Sequence, residues 1–324
     1  MIEKIIEISI KNKIIVLIIT LLIVLWGIRS TFDIPIDAIP DLSDNQVIVF
    51  TEWDGRSSKI IEDQITYPLS SSLQGMPKVK DIRASSEFGF SMIYVIFDDD
   101  TDIYWARSRV IEKLATIKNT LPEGVNPAIG PDGTGVGHIY WYTLKSDNTD
   151  LGTLRNIQDR YIKYQLNSVK GVAEVASIGG FVKQFGIYID PDKLRSYDIM
   201  LKDVVEAVKN NNKDSGGKLI EENAREYIVR GVGYLKDIKD IENIFIKKGK
   251  NGTPIYLKNL AYVQISGDSR RGLLDENGQG EVVGGIIVMR QGENAQQVIT
   301  RVKDKIKEIS KGLPQGVSIQ TAYD

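Results

Sequence analysis

An uncharged apolar run from Ile14 to Ile28 constrains this chain more than any other stretch, and Lys13 and Arg29 bound it. A helix rises about 1.5 Å per residue, so about 20 mostly apolar residues are needed to cross a bilayer's hydrocarbon core. Extending the run to Phe32 gives nearly that length, because the Arg29 side chain can reach the headgroups. The run has neither the polar stripe of a buried helix nor the small-residue cleavage site of a signal peptide. It therefore predicts an uncleaved transmembrane anchor.

The flanking charges predict the orientation of this anchor. Lys4, Lys11 and Lys13 precede it, and the positive-inside tendency places such a flank in the cytoplasm. The chain from about Asp33 onward is then expected outside the cytoplasmic membrane. Residues 1–11 alternate isoleucines with charged residues, which is typical of a helix lying on the inner membrane surface. The same residues could instead form the first turns of the anchor.

Composition excludes several functions for the remaining chain. The protein has 324 residues, enough for two or three domains, and a net charge of −2, which argues against a nucleic-acid partner. It has no cysteine, so disulfides and thiolate metal sites are excluded, and its one histidine, His138, excludes a multi-histidine zinc site within the chain. We identify no catalytic, cofactor-binding or metal-ligating residues, and an enzyme is not expected.

Two aspartate-rich segments are candidate cation sites. Pro35 and Pro40 end the helix in Asp33–Asp44, where four aspartates could form a cation-attracting vestibule or a solvated loop with capping carboxylates. Asp98–Asp102 could be a metal cluster, but supporting ligands are not visible nearby in the sequence. A loop is the simpler interpretation of the first segment, and a turn with a helix N-cap is the simpler interpretation of the second.

Residues 46–125 predict the element order β-α-β-β-α-β. The expected elements are a strand over Gln46–Trp53, a helix from Ser57 to about Leu73 kinked near Pro68, strands over Lys78–Ala84 and Ser91–Phe97, a helix with Val110, Leu114, Ile117 and Leu121 on one face, and a short strand after Val125.

This pattern occurs twice. Leu73, Gly75, Met76, Val79 and Ile82 correspond to Val169, Gly171, Val172, Val175 and Ile178 at an offset of 96. Val110, Leu114, Ile117, Leu121, Pro122, Gly124 and Val125 correspond to Val302, Ile306, Ile309, Leu313, Pro314, Gly316 and Val317 at an offset of 192. The doubled offset indicates an insertion of about 96 residues within the second copy. We therefore expect an α+β fold with two ferredoxin-like βαββαβ subdomains, the second interrupted at its central hairpin.

The glycine-rich segment Gly130–Gly137 (GPDGTGVG) lies between the two copies. It resembles a phosphate-binding loop only superficially, because Gly-Lys-Ser/Thr does not follow and the next element is a strand. It is predicted to be a flexible linker, and His138, which opens that strand, is predicted to be structural. The insert, 181–272, is expected to be a small α+β module that serves either as an interaction surface or as a stabilising addition.

Seven segments together resemble the heavy-metal efflux branch of the resistance-nodulation-division transporters, of the copper/silver and cobalt-zinc-cadmium type, over essentially the whole chain. The segments are Pro35–Ser43 (PIDAIPDLS), Gln64–Leu69 (QITYPL), Tyr94–Phe97 (YVIF), Tyr104–Arg109 (YWARSR), Gly130–Gly135 (GPDGTG), Ala173–Gly180 (AEVASIGG) and Arg270–Gly272 (RRG). Each is weak alone, and the combination is specific.

The resemblance implies an architecture and partners. The implied divisions are a cytoplasmic amphipathic start and transmembrane helix in 1–33, a first porter subdomain in 34–135, a second in 136–180 and 273–324, and a docking subdomain in 181–272. Family members work as homotrimers in the bacterial inner membrane, with the bulk of this region in the periplasm. Their partners are a periplasmic membrane-fusion adaptor and an outer-membrane channel, and they export cations in exchange for protons.

The resemblance also limits what this chain is expected to do. In the family, the proton-relay carboxylates lie on later membrane helices and the main substrate-binding residues lie in the C-terminal porter half. The sequence contains neither, so we expect a fragment or a truncated protein that is inactive alone. Ser269, where the copper/silver branch resembles a methionine-bearing version, favours zinc, cobalt, cadmium or nickel without deciding the metal. The alternatives are a multidrug exporter fragment of the same superfamily and a membrane-anchored periplasmic binding or scaffold protein.

Overall fold

A computed structural model describes residues 6, 9–33, 43–222, 225–249, 252–268, 270 and 272–324. Several predicted features lie outside these residues. They are most of the amphipathic start, the acidic segment over 34–42, Ser269 and Arg271.

The bounds of the elements are as follows. The first are α1 (Lys13–Asp33), β1 (Gln46–Glu52), α2 (Ser58–Ile61, a π turn at Glu62–Thr66, and Tyr67–Leu73), β2 (Val79–Glu87), β3 (Phe90–Phe97), α3 (Ile103–Ile117) and β4 (Ala128–Ile129). The next are β5 (Gly133–Lys145), α4 (Leu151–Ile157, a π turn at Gln158–Ile162, and Lys163–Leu166), β6 (Val172–Ile178), β7 (Lys183–Ile189), α5 (Pro191–Tyr197), α6 (Leu201–Asn211), β8 (Ser215–Glu222) and β9 (Arg225–Gly231). The last are α7 (Ile238–Glu242), β10 (Phe245–Lys248), β11 (Pro254–Tyr256), β12 (Ala261–Gly267), β13 (Val283–Arg290), α8 (Ala295–Ser310) and β14 (Ser318–Tyr323).

Helix α1 has the length and composition of a membrane span. It contains 21 residues, and its apolar part, Lys13–Thr31, has a mean hydropathy of 2.4 with none of its surface buried in the protein. The hydroxyls of Thr20 and Thr31 donate to the carbonyls of Val16 and Gly27 at 2.9 Å, so neither polar group is left unsatisfied along the helix. Within the described residues, α1 is the one helix long and apolar enough to cross a membrane.

The described residues form two compact bodies. The main body takes its residues from Met1–Thr149, Ile157–Ile178 and Val282–Asp324, and the inserted body from Asp150–Asn156 and Gly179–Glu281. The main body holds two four-stranded antiparallel sheets, with strand orders β2-β3-β1-β4 and β14-β5-β13-β6. In both sheets the first strand in sequence lies between the third and the fourth. We refer to β1 through β4 with their helices as the first α/β unit, and to β5, β6, β13 and β14 with theirs as the second.

The first α/β unit has its core on one face of its sheet. Strand β1 alternates buried and half-buried side chains, as expected for a strand with one covered face. Its buried residues join those of α2, β3 and α3 in one cluster, which includes Val47, Val49, Ile65, Leu69, Ile93, Val95, Val110 and Leu114. The helical spacing of Val110 and Leu114, read from the sequence, thus marks the buried face of α3.

The two α/β units share local details at the offsets seen in the sequence. The π turns at Glu62–Thr66 and Gln158–Ile162 are 96 residues apart. Gly124 and Gly316 both have φ of +84°, a conformation that favours glycine. The amides that follow, of Val125 and Val317, donate to the carbonyls of Pro122 and Pro314, each at 3.1 Å. The repeated sequence pattern therefore corresponds to repeated backbone geometry.

The predicted kink of α2 at Pro68 is wrong. The irregularity is the π turn at Glu62–Thr66, and Pro68 lies in the first turn of the segment after it, where a missing N–H is tolerated. Proline does not cause this turn, because the equivalent π turn of α4 precedes Tyr164 in the position of Pro68. Both turns carry a buried polar side chain, Thr66 in one and Gln158 in the other.

The prediction of a flexible linker over Gly130–Gly137 is also wrong for its second half. Strand β5 begins at Gly133, which pairs with Arg290 of β13, so the expected boundary after residue 135 falls inside a strand. A Cβ at Gly133 would lie 2.6 Å from Val288 Cγ1 and 2.9 Å from the Met289 carbonyl oxygen. Glycine here permits close strand packing, and only residues 130–132 link the two α/β units.

The described residues of the inserted body form three two-stranded sheets, β12-β7, β10-β11 and β8-β9, with helices α5 to α7. Its core includes Ile199, Val204, Ile241, Leu257 and Val263. The sequence predicts 181–272 for this module, whereas the compact body runs from Gly179 to Glu281 and includes Asp150–Asn156. The inserted body ends later than predicted because the Glu281 carboxylate pairs with Arg270 and the Glu281 backbone bridges to Asp275.

Candidate functional site

The acidic segment Asp98–Asp102 starts a helix, as the sequence analysis favoured. Asp102 is the N-cap of α3, and its Oδ1 accepts a hydrogen bond from the Trp105 amide at 2.7 Å. Asp100 lies 3.6 Å from the Lys78 ammonium. Across the described part of the chain, His, Asp and Glu side chains form no group of three or more placed to hold a metal ion.

His138 lies on the wall of a pocket of about 370 Å³ in the main body. It is exposed, and its backbone pairs with Val288. Other residues of the wall include Thr134, Met289, Arg290, Tyr323 and Asp324. The wall thus carries polar groups of both signs.

A cluster of polar groups in the main body lies at the link between the two α/β units. Tyr104, at the start of α3, donates its hydroxyl to Asp132 Oδ2 at 3.0 Å. Arg290, at the end of β13, places its Nε 3.5 Å from the same oxygen. The backbone carbonyl of Asp132 accepts from the Gln291 amide at 3.1 Å. Asp132 thus contacts the first unit through its side chain and the second through side chain and backbone.

Gly130, two residues earlier, is held by the first unit. Its amide donates to the Ile48 carbonyl at 2.7 Å, and its own carbonyl accepts from Arg107 Nη1 at 2.8 Å. Tyr104 and Arg107 both belong to the YWARSR segment, and Gly130 and Asp132 to the GPDG segment. Two segments singled out in the sequence for family resemblance therefore meet in space. We call Tyr104, Arg107, Gly130, Asp132 and Arg290 the junction.

The junction is electrostatically organised around Asp132, whose side chain is 14% exposed. The hydrogen bond to Asp132 raises the pKa of the Tyr104 hydroxyl, with further upward contributions from burial and from the carboxylate charge. The positive charges of Arg290 and Arg107 oppose this pKa shift. Tyr104 is consequently a neutral donor at physiological pH, which is the form the hydrogen bond requires.

A second polar arrangement lies inside the second α/β unit. Gln158, in the π turn of α4, is fully buried; its Oε1 accepts from the Tyr142 hydroxyl at 3.0 Å and its Nε2 donates to Ser177 Oγ at 3.3 Å. Burial raises the pKa of Tyr142 far above its ordinary value, so the phenol stays protonated. Tyr142 and Gln158 are buried, so this arrangement serves the fold.

The hairpin β8–β9 of the inserted body exposes apolar side chains. Leu219 and Ile228 pair across it and are 56% and 82% exposed. Ile220, Tyr227 and Val229 on the same hairpin are also exposed. The two strands pair only with each other in the described structure. Isolated hairpins are marginal in water, so this surface has the character of a contact region for another protein chain.

Sequence reasoning predicted no site residues and missed the junction and the hairpin surface. Asp132 lies in the glycine-rich segment predicted to be a linker, and a Pro-Asp-Gly sequence carries no signal beyond a turn. Arg290 is separated from Asp132 by a whole inserted body, so sequence spacing could not connect them.

Comparison with known proteins shows that this chain is similar to efflux transporters. A model of the AcrB/AcrD/AcrF family matches residues 5–324. The cation efflux system protein CusA of Escherichia coli is 46% identical over 326 residues, covering 100% of this chain and 31% of that protein. The cobalt-zinc-cadmium resistance protein CzcA of Cupriavidus metallidurans is 38% identical over 333 residues, with the same two shares covered.

A solved structure shows the same fold. A crystal structure of a heavy metal efflux pump, crystal form II, matches with a TM-score of 0.88 at 30% sequence identity, covering 97% of this chain and 31% of that one. This chain thus spans about a third of the length of the relatives that it matches.

Proposed function

The chain belongs to the AcrB/AcrD/AcrF family, and from this premise we propose that it is the N-terminal portion of a proton-driven heavy-metal cation efflux pump. One observation carries the proposal. Every residue of the chain falls within the match to cation efflux proteins, and the fold matches a heavy metal efflux pump. Heavy-metal relatives make the metal branch a better assignment than a multidrug exporter of the same superfamily.

In this proposal α1 anchors the chain in the inner membrane with its N-terminus in the cytoplasm and the rest in the periplasm. The lysines before α1 and its apolar length support this orientation. The two α/β units are ferredoxin-like porter subdomains, supported by their shared strand order. The inserted body is the docking subdomain, supported by its compactness and its position within the second unit.

The proposed assembly is a homotrimer that joins a periplasmic adaptor and an outer-membrane channel. The hairpin β8–β9 supports self-association, because its exposed apolar residues are better explained by another chain than by water. A second copy of this chain is the simplest such partner. The number of subunits, three, is inferred from the family resemblance.

We further propose that this chain alone does not export metal. A proton path needs ionisable groups that face the interior of a helix bundle, and α1 carries no ionisable side chain between Lys13 and Arg29. The matched relatives are about three times as long, so about two-thirds of their residues have no counterpart in this chain.

The test is metal export from cells that lack their own cation exporters. The chain alone, and the chain fused to the remaining two-thirds of a relative such as CusA, are expressed and loaded separately with copper, zinc and cobalt. We expect export from the fusion that a proton uncoupler abolishes, and none from the chain alone. Proton-driven export by the chain alone would contradict its role as a portion of a pump. A metal-binding chain that does not complement in the fusion would favour a periplasmic binding protein.

A further inference from the structure

The link between the two α/β units is short and bonded on both sides. Residues 130–132 are the only chain between β4 and β5. Gly130 is fixed to the first unit by the Ile48 carbonyl and Arg107. Asp132 is fixed to the second by the Gln291 amide. Between these backbone anchors, one side chain reaches both units.

That side chain is the Asp132 carboxylate. Tyr104 of the first unit and Arg290 of the second approach the same oxygen, Oδ2, at 3.0 and 3.5 Å. The hydrogen bond from Tyr104 is directional and the ion pair with Arg290 is short-ranged, so one oxygen held by both restricts the angle between the two units. The carboxylate is largely shielded from solvent, which limits the screening that weakens ion pairs at an open surface.

We propose that Asp132 is a positioning residue that sets the angle between the two α/β units by bridging Tyr104 and Arg290. The backbone bonds at Gly130 and Gln291 keep the units joined, and the carboxylate selects one orientation among those that a three-residue link allows. This inference concerns the mechanics of the main body and stands whether or not the chain belongs to a metal pump.

The test measures distances between spin labels in the full chain in detergent micelles. The sequence has no cysteine, so labels can be placed without removing native residues. Thr116→Cys on α3 and Glu308→Cys on α8 are exposed positions in the two units and report the angle between them. Thr116→Cys with Ser85→Cys, both in the first unit, reports whether that unit remains folded.

In the parent we expect one narrow distance distribution for each label pair. Asp132→Ala should at least double the width for the pair that spans the units and leave the pair within the first unit unchanged. Tyr104→Phe, which removes one hydrogen bond, should broaden the spanning pair less. Asp132→Asn, which keeps an acceptor for Tyr104 but loses the charge, should partly restore the parent width. Asp99→Ala, in the exposed loop before α3, is the matched control and should change neither pair.

An unchanged distribution between the units in Asp132→Ala would overturn the proposal, because the backbone bonds alone would then set the angle. If Asp132→Ala also broadens the pair within the first unit, Tyr104→Phe decides the question. Broadening confined to the spanning pair supports the proposal, and no broadening overturns it.

Discussion

At the scale of single residues, Asp150 shows how one carboxylate starts a helix and contacts a strand. Its Oδ1 accepts from the Thr153 amide at 3.1 Å, its Oδ2 from the Thr153 hydroxyl at 2.6 Å, and Lys183 Nζ donates to it at 3.0 Å. The Thr153 hydroxyl and then the Lys183 ammonium lower its pKa from 3.8 to about 2. The charged form is therefore favoured by folding.

This pKa shift predicts an acid-dependent loss of stability. Because the folded pKa is depressed, the contribution of Asp150 is complete above 3.8 and is lost as pH falls toward about 2. Asp150→Asn keeps an N-cap acceptor and removes the charge, so it should lower stability at pH 7 by no more than about 1 kcal/mol, since the pair is solvent-screened.

The measurement is the thermal unfolding midpoint of the detergent-solubilised chain between pH 7 and pH 2. We expect the difference between parent and Asp150→Asn to shrink steadily as pH falls from 3.8 toward about 2. Asp147→Asn, at an exposed neighbouring aspartate, is the matched control and should follow the parent throughout. A difference that persists unchanged at pH 2 would show that the charge is not responsible.

At the scale of elements, the π turns explain a feature that helix patterns alone do not show. A π turn carries a wider ring than an α turn and is uncommon, so its recurrence at Glu62–Thr66 and Gln158–Ile162 indicates a shared requirement. In the first unit, the Thr66 and Ser91 hydroxyls are 2.8 Å apart. In the second, Gln158 accepts from Tyr142. Each turn thus presents a buried polar group to a strand.

Replacing the buried amide tests this role. Gln158→Ala should cost about 2–4 kcal/mol in the free energy of unfolding, because it leaves a cavity and removes the acceptor of the Tyr142 hydroxyl. The measurement is denaturant unfolding followed by circular dichroism. The matched background is Tyr142→Phe, in which the hydroxyl is absent. There, Gln158→Ala should cost at least about 1 kcal/mol less. Fully additive costs would mean that the hydrogen bond contributes no stability.

At the scale of the whole molecule, the exposed hairpin β8–β9 and the link at residues 130–132 serve different purposes. The link connects two units that each have their own sheet and helices. The hairpin carries apolar residues that its own strands cannot cover, because Leu219 and Ile228 remain 56% and 82% exposed. Burial of such a surface against another chain would be favourable by about 25 cal/mol per Å² of apolar area.

The hairpin therefore predicts self-association. Leu219→Lys combined with Ile228→Lys should reduce the fraction of the detergent-solubilised chain found in the proposed trimer, because two buried charges without partners are costly at an interface. Light scattering and chemical crosslinking give the oligomeric state. Leu219→Ile with Ile228→Val preserves the apolar surface and should leave the trimer intact. Equal trimer content in the lysine variant would remove the hairpin from the interface.

Local patterns were sufficient for much of the fold. The apolar run predicts α1, since helix length and hydropathy depend only on adjacent residues. The buried positions of α3 follow from helical spacing, and the Gly124 and Gly316 turns from a repeated Leu-Pro-x-Gly-Val pattern. The predicted kink at Pro68 is wrong because a proline can be recognised in the sequence, whereas a π turn cannot. The prediction of a flexible linker over Gly130–Gly137 is wrong for its second half, because glycines permit close strand packing as readily as flexibility.

The sequence by itself determined the membrane helix, the two related α/β units and the presence of an insert, because these depend on periodicity and repetition along the chain. Only the tertiary structure decided which side chains meet. Tyr104, Asp132 and Arg290 come together although an inserted body separates Arg290 from the other two along the chain, and the residues of the hairpin β8–β9 are left exposed. Such contacts depend on how segments far apart in the sequence pack together, and the spacing of residues along the chain does not reveal that packing.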